Sequence, residues 1–400
     1  MEPRCNGGLR GGHHVHEAEP PIAMSSPHLS LAWKKETSML LAAGLLIVLG
    51  VLRWIGGNGL FVSSGFRIVG FVILVTMILL LAFRALAHAN VLGERFGEPY
   101  GTMLLTFSIL SIELSLVISV MVTGSPDPTM ARDTMFAGFM LTMNGVVGVV
   151  LLAGGLKHRE QEFNLEGARA YLGALVPLAV ITLVLPNFTR AGKGMLTDVQ
   201  AVSVGIATVL FYAIFLGVQT MRHRDYFIAA PGHGSKPGQT HAHGNSEAAQ
   251  TSNTHHFVLL FAALVLIALL GKELAAIVDY AIHRLGIPSA LGGVLIATIM
   301  LAPESVSAYR AALDDHLQHS VNVFLGGALA TIGLTAPCAL LIGLWIERPI
   351  VLGLQGTDLV LLILTLFVSS LTFGGVRTNV LQGAVHLLLF AMYVILIISP

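Results

Sequence analysis

Charge is what this chain has least of. Of its 400 residues only 11% are Asp, Glu, Lys or Arg, while 54% are hydrophobic. A soluble domain carries about 25% charged residues, so the composition specifies an integral membrane protein. The 22 basic and 22 acidic side chains cancel, which leaves no basic surplus for nucleic acid. Cysteine is nearly absent: Cys5 lies in a polar tail and Cys338 in an apolar run, so no disulfide is expected between them. Catalytic signatures are missing too. No HExxH, GxSxG or glycine-rich phosphate loop occurs, which disfavours an enzyme, and no cofactor is expected. The first 38 residues are polar and lack the apolar centre of a cleavable signal peptide.

What the chain does have is apolar runs. Eleven are candidates to span a bilayer. Six precede a polar stretch at Arg222–His256: Met39–Leu52, Ile68–Ala87, Thr102–Val122, Met135–Leu156, Leu172–Leu185 and Val202–Met221. Five follow it: Phe257–Ile277, Ser289–Ala308, Val321–Ile346, Leu359–Phe373 and Val380–Ile398. The expected fold is therefore all-α and polytopic, with about eleven transmembrane helices. Its organisation reads as a polar tail over 1–38, a first helix over 39–56, a repeat over 57–222, a His-rich cytoplasmic linker over 223–256 and a second repeat over 257–400. Five spans per repeat is an odd number, so the second repeat enters the membrane opposite to the first, the inverted plan of many secondary transporters. Most Lys and Arg residues, Arg84 and Arg95 among them, fall on the inside of a model with a cytoplasmic N-terminus and an external C-terminus.

Two acids break the apolar pattern. Glu113 and Glu304 each lie twelve residues after a glycine, Gly101 and Gly292, that opens its run. At about 1.5 Å per helical residue this is roughly 18 Å along the helix, near the middle of a hydrocarbon core about 30 Å thick. A carboxylate at that depth costs at least ~2.5 kcal/mol and usually marks an ion or proton pathway. An offset of 191 residues superimposes the two acids and aligns Gly101-Thr-Met-Leu104 with Gly292-Gly-Val-Leu295.

Carboxylates are the usual protein ligands of a hard divalent cation. Two facing glutamates neutralise one Ca²⁺. Once it leaves, two bare carboxylates at low dielectric do not both stay charged, so cation and protons compete for one site. That is the minimum chemistry of an antiporter, with up to two protons per divalent ion. Pro303 withholds a backbone donor from the Ile299 carbonyl beside Glu304. Ser108, Ser111 and Ser115 flank Glu113, and Thr142, Asn144, Asn322, Thr331 and Thr335 are further oxygen donors in neighbouring spans. These hydroxyls equally suit ordinary packing and backbone bonding. His386 in the last run reads either as a proton-relay group or as a hydrogen-bonded one. Lys272 and Glu273 pair with each other or snorkel. The tail and linker histidines, including His13, His14, His16, His233, His241, His243, His255 and His256, show no fixed zinc spacing.

Several runs resemble a known family. "GERFGEPYGTMLLTFSILSIELSL" (93–116) and "ALGGVLIATIMLAPESVSAYRAAL" (290–313) are similar to the two alpha-repeats of calcium/proton exchangers of the bacterial ChaA type. So are "LKHREQEFNLEGARAYL" (156–172), "LVLPNFT" (183–189), "VNVFLGGALATIGLTAP" (321–337) and "RTNVLQGAVHLLLFAMY" (377–393). The resemblance implies an inner-membrane cation:proton antiporter of the cation/calcium exchanger superfamily, with eleven helices and with Glu113 and Glu304 as its cation- and proton-binding residues. Its partners are inorganic cations, protons and the lipid bilayer. Ca²⁺ is the expected ion, with Na⁺ or K⁺ as the alternative and a passive cation channel as a further one. The chain departs from the superfamily where a Gly-Asn or Gly-Ser pair usually accompanies the acids: it has Ser111-Ile112-Glu113 and Gly326-Gly327.

Overall fold

A computed structural model of the chain describes residues 37–56, 64–97, 100–123, 128–228 and 252–399. Most of the expected polar tail, Cys5, and His233, His241 and His243 of the linker lie outside these residues. Ser38–Pro400 form one compact unit.

The apolar runs become helices because only a helix satisfies every backbone group without water. They are α1 (Thr37–Gly56), α2 (Ser64–Phe96), α3 (Tyr100–Thr123), α4 (Met130–Met140), α5 (Val147–His158), α6 (Leu165–Ala179), α7 (Asp198–Gly217), α8 (Asn253–Leu285), α9 (Ser289–Leu313), α10 (Leu317–Ala330), α11 (Ala336–Trp345), α12 (Gly356–Thr372) and α13 (Val380–Ile398). A π-helical turn, Leu141–Val146, joins α4 to α5 in one continuous rod, and another, Thr331–Thr335, joins α10 to α11. Every expected run falls, to within one residue, on a helix or on a helix continued by π- or 3₁₀-helical turns, as α6 is to Phe188 and α7 to Arg222. Among the described residues eight rods are long and apolar enough to cross a membrane, and α1, α3 and α12 hold shorter apolar stretches. The chain is thus an integral membrane protein. Exposed Val360, Ile363, Phe367, Leu388 and Ile395 on α12 and α13 are side chains whose solvent is lipid.

Helix ends are set by short polar signals that hydropathy does not register. Asn379 and Gln382 form a reciprocal cap on α13, and Thr197 and Gln200 do the same for α7. α2 and α8 each extend to 33 residues, well beyond their apolar runs, and pack along one another. This corrects the placement of Arg84: it is buried within α2 rather than in a solvated inside segment.

The loops gather at two ends. At one end Lys157, His158 and Gln161 donate to the carbonyls of Ala312 and Leu313, and Asn322 donates to Phe227 O. There β1 (Glu160–Glu162) pairs antiparallel with β2 (Arg377–Asn379), and Arg377 bridges to Glu160 and Glu162. At the other end Val351 N bonds Pro128 O, Leu352 N bonds Gly194 O, Asn187 donates to Leu354 O, and Ser289 reaches Asp133. From α3 onward the rods therefore run alternately between the two ends.

Glycines set the closest approaches. α5 and α13 cross through Gly148, Gly155 and Gly383, with backbone nearly touching backbone. Gly293 of α9 lies on Asp133–Thr134, Gly138 of α4 lies on Ala297 and Leu301, and Gly154 of α5 lies near Ala312. α9 thus runs parallel to the α4–α5 rod, and this register sets Glu304 beside the Leu141–Val146 turn.

Candidate cation site

α3 carries Glu113 toward the end from which α9 starts, so the two acid-bearing helices run in opposite directions. Both carboxylates are buried, at 8% and 9% exposure, although each costs at least ~2.5 kcal/mol to place in hydrocarbon. They lie within electrostatic reach of each other, and among the described residues no basic side chain acts on either. A structural acid at this depth needs a fixed counter-charge.

Each glutamate meets the α10–α11 rod. Thr331 Oγ1 donates to Glu113 Oε2 at 3.1 Å. Thr335, fully buried one turn later, aims its hydroxyl at the same carboxylate without forming a bond of regular geometry. Glu304 Oε2 lies over Gly327, where a Cβ would stand only 3.1 Å from it. The π-helical turn that carries Thr331 and Thr335 has a local cause. Pro337 has no N–H to give the carbonyl of Gly333, four residues back, so the regular ladder cannot pass. Turns of this kind concentrate at functional sites.

Tyr212 of α7 completes the surroundings. Its ring packs on Gly333, and it lies within electrostatic reach of both glutamates. Sequence reasoning missed it. The available signal was Gly333 between two threonines, a bare patch that needs a large neighbour.

The remaining candidates divide. Ser108, Ser111 and Ser115 donate to their own helix, to Leu104 O, Phe107 O and Ser111 O, at 2.6–2.7 Å. Thr142 and Asn144 are buried in the Leu141–Val146 turn beside α9. Asn144 faces α12 and α13: it donates to Thr365 Oγ1 at 2.8 Å and its Oδ1 accepts from His386 Nδ1 at 3.2 Å. The Thr372 hydroxyl closes the chain at His386 Nε2, 3.0 Å away. Asn322 is committed to Phe227 O and Gln318 at the linker end. Lys272 is exposed. Pro303 is buried, but α9 continues through it unbroken. The loss of one bond, at Ile299, does not break the helix, and the irregular backbone sits in the two neighbouring rods instead.

Residues 66–221 and 255–399 match the sodium/calcium exchanger protein family. The chain belongs to that family. Among similar members, the sodium-potassium/proton antiporter ChaA of Escherichia coli (strain K12) is 34% identical over 365 residues, 91% of this chain and 97% of that one. The y4hA protein of Sinorhizobium fredii is 42% identical over 320 residues, 80% of this chain and 85% of that one. Among solved structures, native YfkE superposes with a TM-score of 0.66 at 18% identity, over 90% of this chain and 98% of that one. The exchanger fold accordingly extends across both halves. The matched region begins after α1 and skips the linker.

Proposed function

We propose that this exchanger-family protein is a secondary active cation/proton antiporter, a transporter and not an enzyme, and that Ca²⁺ is its cation. The observation that carries this reading is the pair of buried carboxylates, Glu113 and Glu304, in reach of each other with no basic partner acting on them among the described residues. Two carboxylates match the charge of one divalent ion; two protons replace it when it leaves. Thr331, Thr335 and carbonyls freed around the π-helical turns supply further oxygen ligands. The inverted repeat is supported by the opposed α3 and α9. It is also supported by the 191-residue offset, which sets Asn144 on Thr335, each within a π-helical turn. A monovalent cycle, with one titrating glutamate, is the second reading; the name of the 34% identical relative favours Na⁺ or K⁺.

The test is collapse of a respiration-driven pH gradient in everted vesicles from an antiporter-deficient host. Ca²⁺ is expected to collapse the gradient at a lower concentration than Na⁺ or K⁺. The reverse order would move the assignment to the monovalent cycle, and no collapse with any ion from pH 6 to 9 would end the antiport reading.

The orientation we propose, in a bacterial inner membrane, places the β1–β2 end in the cytoplasm and the C-terminus outside. A reporter fused after Pro400 should read as external; a cytoplasmic signal reverses the orientation.

A further inference from the structure

A second polar feature reaches the site from the linker end and takes no part in the cation shell. Tyr171 of α6 is almost fully buried at 1% exposure, with its ring held by Phe215 and Phe227. Gln219, two turns beyond Tyr212 in the half-buried π-helical turn Val218–Arg222 that continues α7, donates its Nε2–H to the Tyr171 hydroxyl at 2.7 Å. The phenol oxygen therefore accepts from the linker side, and its own hydrogen is left for the other side. Gly326 lies against the same hydroxyl: a Cβ there would stand 3.5 Å from the Tyr171 oxygen. Its neighbour Gly327 lies under Glu304 Oε2. A strip of α10 without side chains is thus flanked by a phenol on one edge and a transport carboxylate on the other. Tyr212 stands within electrostatic reach of Tyr171 as well as of both glutamates.

We infer that Tyr171, fed by Gln219 and facing Glu304 across the Gly326–Gly327 strip, is a proton-relay residue that connects the site to the linker-side end. This rests on the antiport reading and assigns the proton its own route. The step balances: a hydronium at the Gln219 side gives a proton to the phenol oxygen and becomes water, as the phenol's own O–H proton passes, through water in the strip, to the Glu304 carboxylate. Tyr171 is neutral before and after, and one proton has moved. A phenol and an amide in an aromatic sleeve offer a cation no charged ligand at Tyr171 itself.

Tyr171→Phe keeps the ring between Phe215 and Phe227 and deletes only the hydroxyl. Two fluxes in reconstituted vesicles separate the roles: ⁴⁵Ca²⁺/H⁺ exchange, and ⁴⁵Ca²⁺/Ca²⁺ self-exchange at equal pH, which moves no proton. The variant is expected to lose at least tenfold in the first and to stay within about twofold of wild type in the second. Gly326→Ala, whose methyl fits at ordinary contact distance but narrows the strip, should show the same split with a smaller loss. Wild-type rates of Ca²⁺/H⁺ exchange in Tyr171→Phe would overturn the relay. Equal losses in both fluxes would also overturn it, and would make the phenol a support of the transport motion. If wild-type protein itself exchanges Ca²⁺ for Ca²⁺ but moves no proton with any cation, the antiport reading has failed instead.

Discussion

Glu113→Gln and Glu304→Gln should each lower cation-driven proton flux at least about 100-fold, a loss of roughly 2.7 kcal/mol in stabilisation of the bound ion. The amide keeps the size of the side chain, and at position 113 its oxygen still accepts from Thr331. What it removes is the charge and the exchangeable proton. A divalent ion would then face one carboxylate in a medium where charge is poorly screened. Glu113→Asp restores the charge but draws it back by one methylene from Thr331, so a partial rate is expected. The measurement is vesicle flux at matched amounts of membrane-inserted protein. Wild-type exchange in either glutamine variant would remove that residue from the site.

Gly383→Ala should be nearly as damaging, through stability. Its Cβ would lie 2.5 Å from Leu152 N and 2.9 Å from Gly148 O. Both are backbone atoms of α5, so no side chain can rotate away and α13 must move off as a whole. Overpacking typically costs about 1–3 kcal/mol, and a collision with helix backbone belongs at or above the top of that range. The shift would also draw His386 away from Asn144. Gly173→Ala, with nothing within 4 Å, is the matched control. Thermal unfolding of detergent-solubilised protein, followed by size-exclusion chromatography, should show a large drop for Gly383→Ala and none for Gly173→Ala. Equal melting temperatures would show that the α5–α13 crossing yields easily.

A carboxylate in hydrocarbon is expensive wherever it occurs, so depth alone singles out Glu113 and Glu304, and both are buried in the structure. The helices were legible because lipid leaves apolar runs a single backbone solution. Less visible was everything set by contact between helices. The apolar count stopped α2 near Ala87, while the helix continues to Phe96 along α8, past the buried Arg84 and His88. Pro303, beside Glu304, looked like the break in the backbone. α9 passes Pro303 unbroken, while Pro337 abandons the carbonyl of Gly333 within a π-helical turn. Ser108, Ser111 and Ser115 had the right chemistry at the right depth, yet a serine in a membrane helix has its own carbonyl four residues back as the nearest acceptor. Tyr171 and Gln219 could not be found by pattern, since the contact of Tyr171 with α10 passes through the missing side chain of Gly326.

The β1–β2 ribbon bears on how the protein is made. It joins residues separated by roughly 220 positions, so β1 has no partner until β2 has been synthesised. Until then α5 waits in the bilayer with Gly148 and Gly155 uncovered, and the C-terminal carbonyls of α9 are bonded by a loop that has not yet been closed from the other side. The first half therefore lacks these contacts until β2 and α13 have been made.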